Sequence, residues 1–131
     1  MEQEKYFLYE LIQSLQLLVA DCDMQIKSFP DHVCAPDEII AAFDESYILF
    51  TQVIQAGLAN KYQIQAVTGI NDFLDEIYNH KAEYDLWCIE SLKSNPAWEK
   101  IRLLANNALI LFKEQKAKPD LGWIHYFKGE R

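Results

Sequence analysis

Two aspartates on one predicted helix have the spacing that coordination of a metal ion would need. Asp72 and Asp75 are three positions apart, so a helix places both carboxylates on one face. Carboxylate oxygens are the ligands that Mg²⁺ prefers in proteins. Glu76 follows directly and is spaced i, i+4 from His80. This spacing makes magnesium-dependent chemistry one hypothesis for the chain.

The neighbouring helix does not complete such a site. Some all-α nucleotide pyrophosphohydrolases hold magnesium with carboxylate pairs on two adjacent helices, whereas the preceding helix here offers only the adjacent Asp44 and Glu45. Asp72 and Asp75 also lie opposite the apolar stripe of their helix, so we expect them to be solvated rather than to line a cleft. We therefore predict that the chain is not an enzyme. A magnesium-dependent all-α nucleotide hydrolase using Asp72 and Asp75 is kept as an alternative.

Other catalytic and metal-binding patterns do not occur in the sequence. Asp31, His32 and Cys34 are close together, but no second group of ligands follows them. The HExxH motif, the Glu-x-x-His pair of di-iron bundles and a spaced Cys/His quartet are all missing. The same holds for GxSxG and for glycine-rich phosphate loops. We therefore predict neither a metal nor a cofactor.

Length and composition indicate one globular domain, residues 1–131. Half of the residues are hydrophobic, and only four glycines and four prolines interrupt the chain. Three cysteines without a CxxC motif argue against a disulfide framework and favour a reducing cytoplasm. The acidic N-terminal residues do not resemble a signal peptide, and no apolar run is long enough for a membrane span.

Apolar residues recur at steps of three and four along most of the chain, which predicts helices. The first is expected over residues 4–28, and the second runs from Pro36 to the turn at Gly57. Residues 62–94 fit one helix or two, with a break favoured near Asn79–His80. A last long helix should begin at Asn95–Pro96 and end by Pro119. The aromatic tail beyond it should pack on the body. The predicted fold is all-α, a compact antiparallel bundle of five or six helices.

The charge is strongly and unevenly negative. The formal net charge is −8, and residues 1–90 hold 16 acids against 4 bases. Such a surface repels phosphates, so nucleic-acid binding is not expected. No lysine or arginine lies between Lys27 and Lys61, so the acids of the second predicted helix lack the usual i, i+4 partners.

These unpaired acids suggest an interaction surface. Asp37 shares a helix face with Asp44, and Glu38 shares one with Glu45, because each pair is spaced i, i+7. A solvated face that only maintains solubility is one interpretation, and a docking face for a cationic protein is the other. Tyr47 or Tyr78 could anchor a partner at the edge. The candidate partner-binding residues are Asp37, Glu38, Asp44, Glu45, Tyr47, Asp72, Asp75 and Glu76.

In size, acidity, helical content, cysteine usage and lack of catalytic motifs, the chain resembles the small acidic helical immunity proteins of bacterial toxin systems. The resemblance is one of general character and carries over no individual residue. It implies a cytoplasmic protein that binds a cationic toxin domain, in many cases a nuclease, and blocks its active site or substrate groove. The alternative is a helical adaptor or regulatory subunit with a different protein partner. The oligomeric state is left open.

Overall fold

The computed structural model describes residues 2–79 and 89–122. Within these ranges the chain forms six α-helices and no strand, which confirms the predicted all-α bundle. No helix in the described ranges is both long and apolar enough to cross a membrane. The tail residues Trp123, Ile124, Tyr126 and Phe127, and the segment that follows Asn79, lie outside the described residues. The helices are α1 (Glu2–Val19), α2 (Cys22–Lys27), α3 (Ala35–Gln55), α4 (Lys61–Asn79), α5 (Ile89–Ser94) and α6 (Pro96–Leu111).

Helix α1 is the centre of the bundle. It packs against α3 and against α6, and α4 packs on α6, while α3 and α4 touch each other only little. The core is one cluster of buried apolar side chains, because each long helix turns its apolar stripe inward. Its largest fully buried members include Trp98, Phe43, Phe50, Leu11, Leu15 and Ile70.

The single helix predicted over residues 4–28 was wrong, because the chain breaks between α1 and α2. Asp21 is extended there, with φ −62° and ψ 153°. Gln25 from α2 is fully buried, and its Nε2 donates to the carbonyls of Leu17 and Leu18 at 3.0 and 3.1 Å. A buried amide thus satisfies the last carbonyls of α1, which a helix end otherwise leaves without partners. The apolar spacing continues through the break, so the sequence pattern did not indicate that the helix ends there.

Arg102 of α6 joins four helices at this break. Its guanidinium donates to the Ala20 carbonyl at 3.2 Å, to Gln25 Oε1 at 2.6 Å and to the Leu92 carbonyl at 2.7 Å. Partial burial lowers the pKa of Arg102 from its ordinary value. Because the five donors of a guanidinium form a rigid fork, the group holds the ends of α1, α2 and α5 in one arrangement.

Side-chain caps mark the starts of α4 and α6. Asn60 Oδ1 accepts from the Gln63 N–H at 2.9 Å, and Gln63 Oε1 accepts from the Asn60 N–H at 2.7 Å. This reciprocal pair is a capping box, which satisfies two free N–H groups of the first turn. Asn95 Oδ1 accepts from the Ala97 N–H at 2.9 Å, with Pro96 at the first helical position. The predicted helix start at Asn95–Pro96 is therefore confirmed.

Beyond α6 the chain leaves the helix earlier than predicted. The helix ends at Leu111 rather than near Pro119, because Lys113 adopts the left-handed conformation with φ +62°. The Glu114 N–H bonds to the Leu109 carbonyl and the Lys113 N–H bonds to the Ile110 carbonyl, both at 2.9 Å, which closes a Schellman motif. Residues 114–122, which we call the strap, continue without helix and hydrogen-bond along α1.

Two glycines with open space around them should respond in opposite ways to alanine. Gly57 ends α3 in the left-handed region at φ +76°, whereas Gly69 lies inside α4. We expect Gly57→Ala to lower the free energy of unfolding by about 1 kcal/mol, because a Cβ disfavours that conformation. Gly69→Ala should raise it by about 0.5–1 kcal/mol through helix propensity. Urea unfolding of both variants measures this, and equal signs would contradict the assignment.

Candidate functional site: the acidic face of α3 and α4

Helix geometry divides the acids of α3 between two sides. Neighbouring residues on a helix are separated by a large rotation, so Asp44 and Glu45 cannot face the same way. Asp44 faces α4, where the charge of Asp75 acts on it. Glu45 faces α1, where its charge acts on Glu10. The two i, i+7 pairs of the sequence therefore lie on different sides of α3.

Asp37, Asp44, Asp75 and Tyr78 lie together where α3 faces α4. Burial, and then the charge of Asp75, raises the pKa of Asp44. The pKa of Tyr78 is raised first by burial and then by the charges of Asp44, Asp37 and Asp75. The three carboxylates therefore lie on the same side of the molecule as Tyr78, close enough for their charges to act on its hydroxyl. Tyr78 nevertheless keeps 42% of its surface exposed.

The acidic surface continues onto the outer side of α4. Asp72 and Glu76 are exposed there, opposite the buried Val67, Ile70, Leu74 and Ile77 of the same helix. Asn71 Nδ2 donates to Asp75 Oδ2 at 3.4 Å on the side that faces α3. We call Asp37, Asp44, Asp72, Asp75, Glu76 and Tyr78 the acidic face.

A lysine borders the acidic face on its α6 side. Lys100 Nζ lies 4.4 Å from the centre of the Phe73 ring, which is a cation–π distance. Phe73 lies on the side of α4 next to the one that carries the exposed Asp72 and Glu76. Lys100 therefore places a positive charge beside this side of α4.

Three residues predicted from the sequence as partner-binding lie elsewhere. Glu38 is only 4% exposed, so we leave it out of the acidic face. Glu45 lies on the α1 side, near Glu10. Burial, followed by the Glu45 charge, raises the pKa of Glu10. Tyr47 is half-buried. Its ring stacks on Phe43 at 5.8 Å and meets Phe50 in a tilted arrangement at 6.4 Å between ring centres. The exposed aromatic residue of the face is Tyr78, the other tyrosine that the sequence offered as an anchor.

No ion pair between two described residues neutralises a carboxylate of the acidic face. The C-terminal lysines could have done so, but Lys116 Nζ bonds instead to Asp21 Oδ1 at 2.7 Å. That contact lowers the pKa of Asp21, first through the hydrogen bond and then through the charge. Among the described residues, the carboxylates of the face thus add their negative charges without a paired lysine or arginine.

Metal binding gains no geometric support within the described ranges. No three His, Cys, Asp or Glu side chains there converge as a metal ion would require, and this applies to Asp31, His32 and Cys34 as well. Asp72 points to the outer side of α4, while Asp75 faces α3. His80, which is spaced i, i+4 from Glu76, lies outside the described residues.

Comparison of the chain with protein-family models, with curated proteins and with solved structures found no significant match.

Replacing Asp44 by asparagine is expected to stabilise the protein by about 0.5–1 kcal/mol at neutral pH, since it removes a half-buried charge beside another. The pKa of Asp44 is raised in the folded state, so the native protein holds this proton more tightly than the unfolded chain does. The charge thus destabilises the fold above the folded pKa and ceases to do so as the pH falls below the unfolded value. Urea unfolding of wild type and Asp44→Asn across this pH range measures the difference.

The exposed Asp72→Asn change is the matched control, with an expected effect within about 0.5 kcal/mol. A stabilisation by Asp44→Asn that persists at acidic pH would contradict the assigned cause.

Proposed function

We propose that the protein is an immunity- or antitoxin-type inhibitor that binds a cationic toxin domain through the acidic face. The observation that supports this most is Asp44, a half-buried carboxylate held beside Asp75 with no cationic partner among the described residues. A charge so placed costs stability in the free protein. Side chains that cost stability are a mark of functional surfaces.

A basic partner would relieve this cost. A lysine or arginine that enters between α3 and α4 would meet Asp44, Asp75 and Asp37 and could lie against the Tyr78 ring. The outer acids Asp72 and Glu76 would attract such a partner from a distance and raise its association rate. In this proposal, the half-buried Asp44 provides the close contact, and the exposed acids around it attract the partner.

Nucleic-acid-cleaving toxins fit this chemistry best, because a groove that binds phosphates is itself lined with lysine and arginine. An inhibitor that presents carboxylates to such a groove occupies the place of the phosphates. We therefore propose that inhibition is competitive with the nucleic-acid substrate.

Affinity capture with matched baits tests the proposal. Wild-type protein, the face variant Asp72→Lys/Asp75→Lys and the control variant Asp31→Lys/Glu114→Lys are immobilised in parallel. All four positions are exposed, and both variants change the net charge by the same amount. Extract of the cells in which the protein is naturally made is passed over each bait.

We expect a protein with a basic domain that wild type and control retain and the face variant loses. The purified partner should lose its toxic activity at a one-to-one ratio with wild type, with substrate raising the amount of inhibitor required. Retention by all three baits would refute the proposal that the partner binds the acidic face. A partner without toxic activity would favour the adaptor alternative.

The magnesium-dependent hydrolase alternative has its own test. Ligands that bind the folded state raise the melting temperature. Melting curves of wild type and Asp72→Asn/Asp75→Asn, recorded with Mg²⁺ and nucleoside triphosphates, should be unchanged by the ligands if the binding proposal is right. A ligand-dependent rise in wild type that the variant lacks would support the hydrolase instead.

A further inference from the structure

We propose that the strap also binds in trans: the polar stripe of α1 formed by Tyr9, Gln13 and Gln16 accepts the strap of a second copy, so that two chains exchange straps in a reciprocal dimer. This proposal is independent of the function proposed above.

The stripe recognises the main chain of the strap. Gln16 Nε2 donates to the Gln115 carbonyl at 2.8 Å, and Gln16 Oε1 accepts from the Ala117 N–H at 2.7 Å. One carboxamide thus matches a carbonyl and an N–H two residues apart. Gln13 Oε1 accepts from the Asp120 N–H at 2.8 Å in the same way. Gln16 is only 3% exposed, so its amide is held in position for this contact.

Two side-chain contacts complete the recognition. The Tyr9 hydroxyl donates to Asp120 Oδ2 at 2.7 Å, and Lys116 bonds to Asp21 at the other end of the strap. Both contacts join the strap to the region of α1 and its C-terminal end. A second copy carries the same stripe and the same strap, so an exchanged pair makes every one of these contacts twice.

Few apolar side chains of the strap are buried. Within residues 114–122, Pro119 is buried and Leu121 is half-buried, while the other positions are exposed. The strap is therefore held mainly by hydrogen bonds and one ion pair. Segments with few buried apolar contacts open locally at a smaller free-energy cost than the core.

The connection before the strap favours exchange. Lys113 is the non-glycine residue with positive φ among the described residues, at +62°. A side chain with a Cβ is strained in this conformation. In the closed form, the turn at Lys113 ends α6 and directs the strap back along its own α1. Once the strap reaches to another chain, Lys113 can leave the left-handed region. The strain in the closed form is lost in the exchanged form.

Substitutions at Lys113 separate the two forms. Lys113→Pro excludes positive φ and disfavours the conformation of Phe112 before it, which has φ −86° and ψ 4°, so the closed turn cannot form. Lys113→Gly relieves the strain and should hold the strap in cis. We expect the dimer fraction, measured by light scattering on a sizing column, to rise roughly tenfold or more in Lys113→Pro relative to Lys113→Gly.

The ion pair between Asp21 and Lys116 reports which chain supplies the strap. Isotopically heavy and light protein are mixed at millimolar concentration, warmed until partly unfolded, cooled and treated with a carbodiimide, which joins a carboxylate and an amine in contact. The dimer should contain Asp21–Lys116 peptides with one heavy and one light half.

Two results would overturn the proposal. One is a dimer in which every Asp21–Lys116 link joins two heavy or two light peptides. The other is a Lys113→Pro variant that is folded and monomeric. If Lys113→Pro does not fold, the mixed wild-type sample decides by itself: absence of heavy–light links overturns the exchange, and their presence supports it.

Discussion

Replacing Arg102 by methionine is expected to lower the free energy of unfolding by about 3 kcal/mol, because the change leaves several polar groups at the helix ends without a donor. Arg102 serves the carbonyls of Ala20 and Leu92 and the amide oxygen of Gln25, and methionine keeps the packing of the stem but donates to none of them. Thermal and urea unfolding measure the loss. It should be visible as a large part of the total stability, since native domains are only marginally stable.

Lys100→Met is the matched control, because it removes the same charge from the same helix at an exposed position. Its effect should stay within about 1 kcal/mol, the value of an exposed cation–π contact. Arg102→Lys should not restore stability, since an ammonium group lacks the planar fork.

Gln25→Leu combined with Arg102→Met gives a second check. The two losses should be clearly less than additive, because both substitutions break the same network. Additive losses would show that Arg102 acts independently of Gln25, contrary to the structure.

Reversing two charges of the acidic face is expected to weaken partner binding roughly a hundredfold or more, since like charges brought together cost several kcal/mol. The variant is Asp72→Lys/Asp75→Lys, measured against the captured partner by surface kinetics. Because Asp72 is exposed, its share of the affinity loss should appear mostly as slower association. Added salt should reduce the difference in affinity between wild type and the variant.

Asp44→Asn distinguishes docking from general charge attraction. It should weaken binding mainly by faster dissociation, because Asp44 is half-buried and would meet a partner only at close contact. The same substitution is expected to stabilise the free protein. Equal kinetics for wild type and Asp44→Asn would show that the recessed part of the face takes no part in binding.

Local signals in the sequence predicted much of the fold. Asn95 and Pro96 define the start of α6 by a cap and a fixed φ, and Pro36 marks the first turn of α3 in the same way. Gly57 ends α3 because it tolerates the left-handed turn. These effects act over a few residues, so they can be read without knowing what packs around them.

The helix end at Leu111 had no such signal. A lysine takes the place where glycine is usual, and Pro119, the residue expected to end the helix, lies eight positions further on in the strap. What makes the early end possible is the row of hydrogen bonds between the strap and α1, which joins residues about a hundred positions apart. Likewise, the break at Asp21 depends on Gln25 and Arg102.

The types and spacing of the residues by themselves determined that this chain forms amphipathic helices and that negative charge accumulates on the segments around Asp44 and Asp75. Only the tertiary structure decided which acids share a surface, placing Asp37 and Asp44 toward α4 and Glu38 in the interior. The reason is physical: periodicity reports how a helix divides into polar and apolar sides. Which neighbour covers each side depends on contacts between distant parts of the chain.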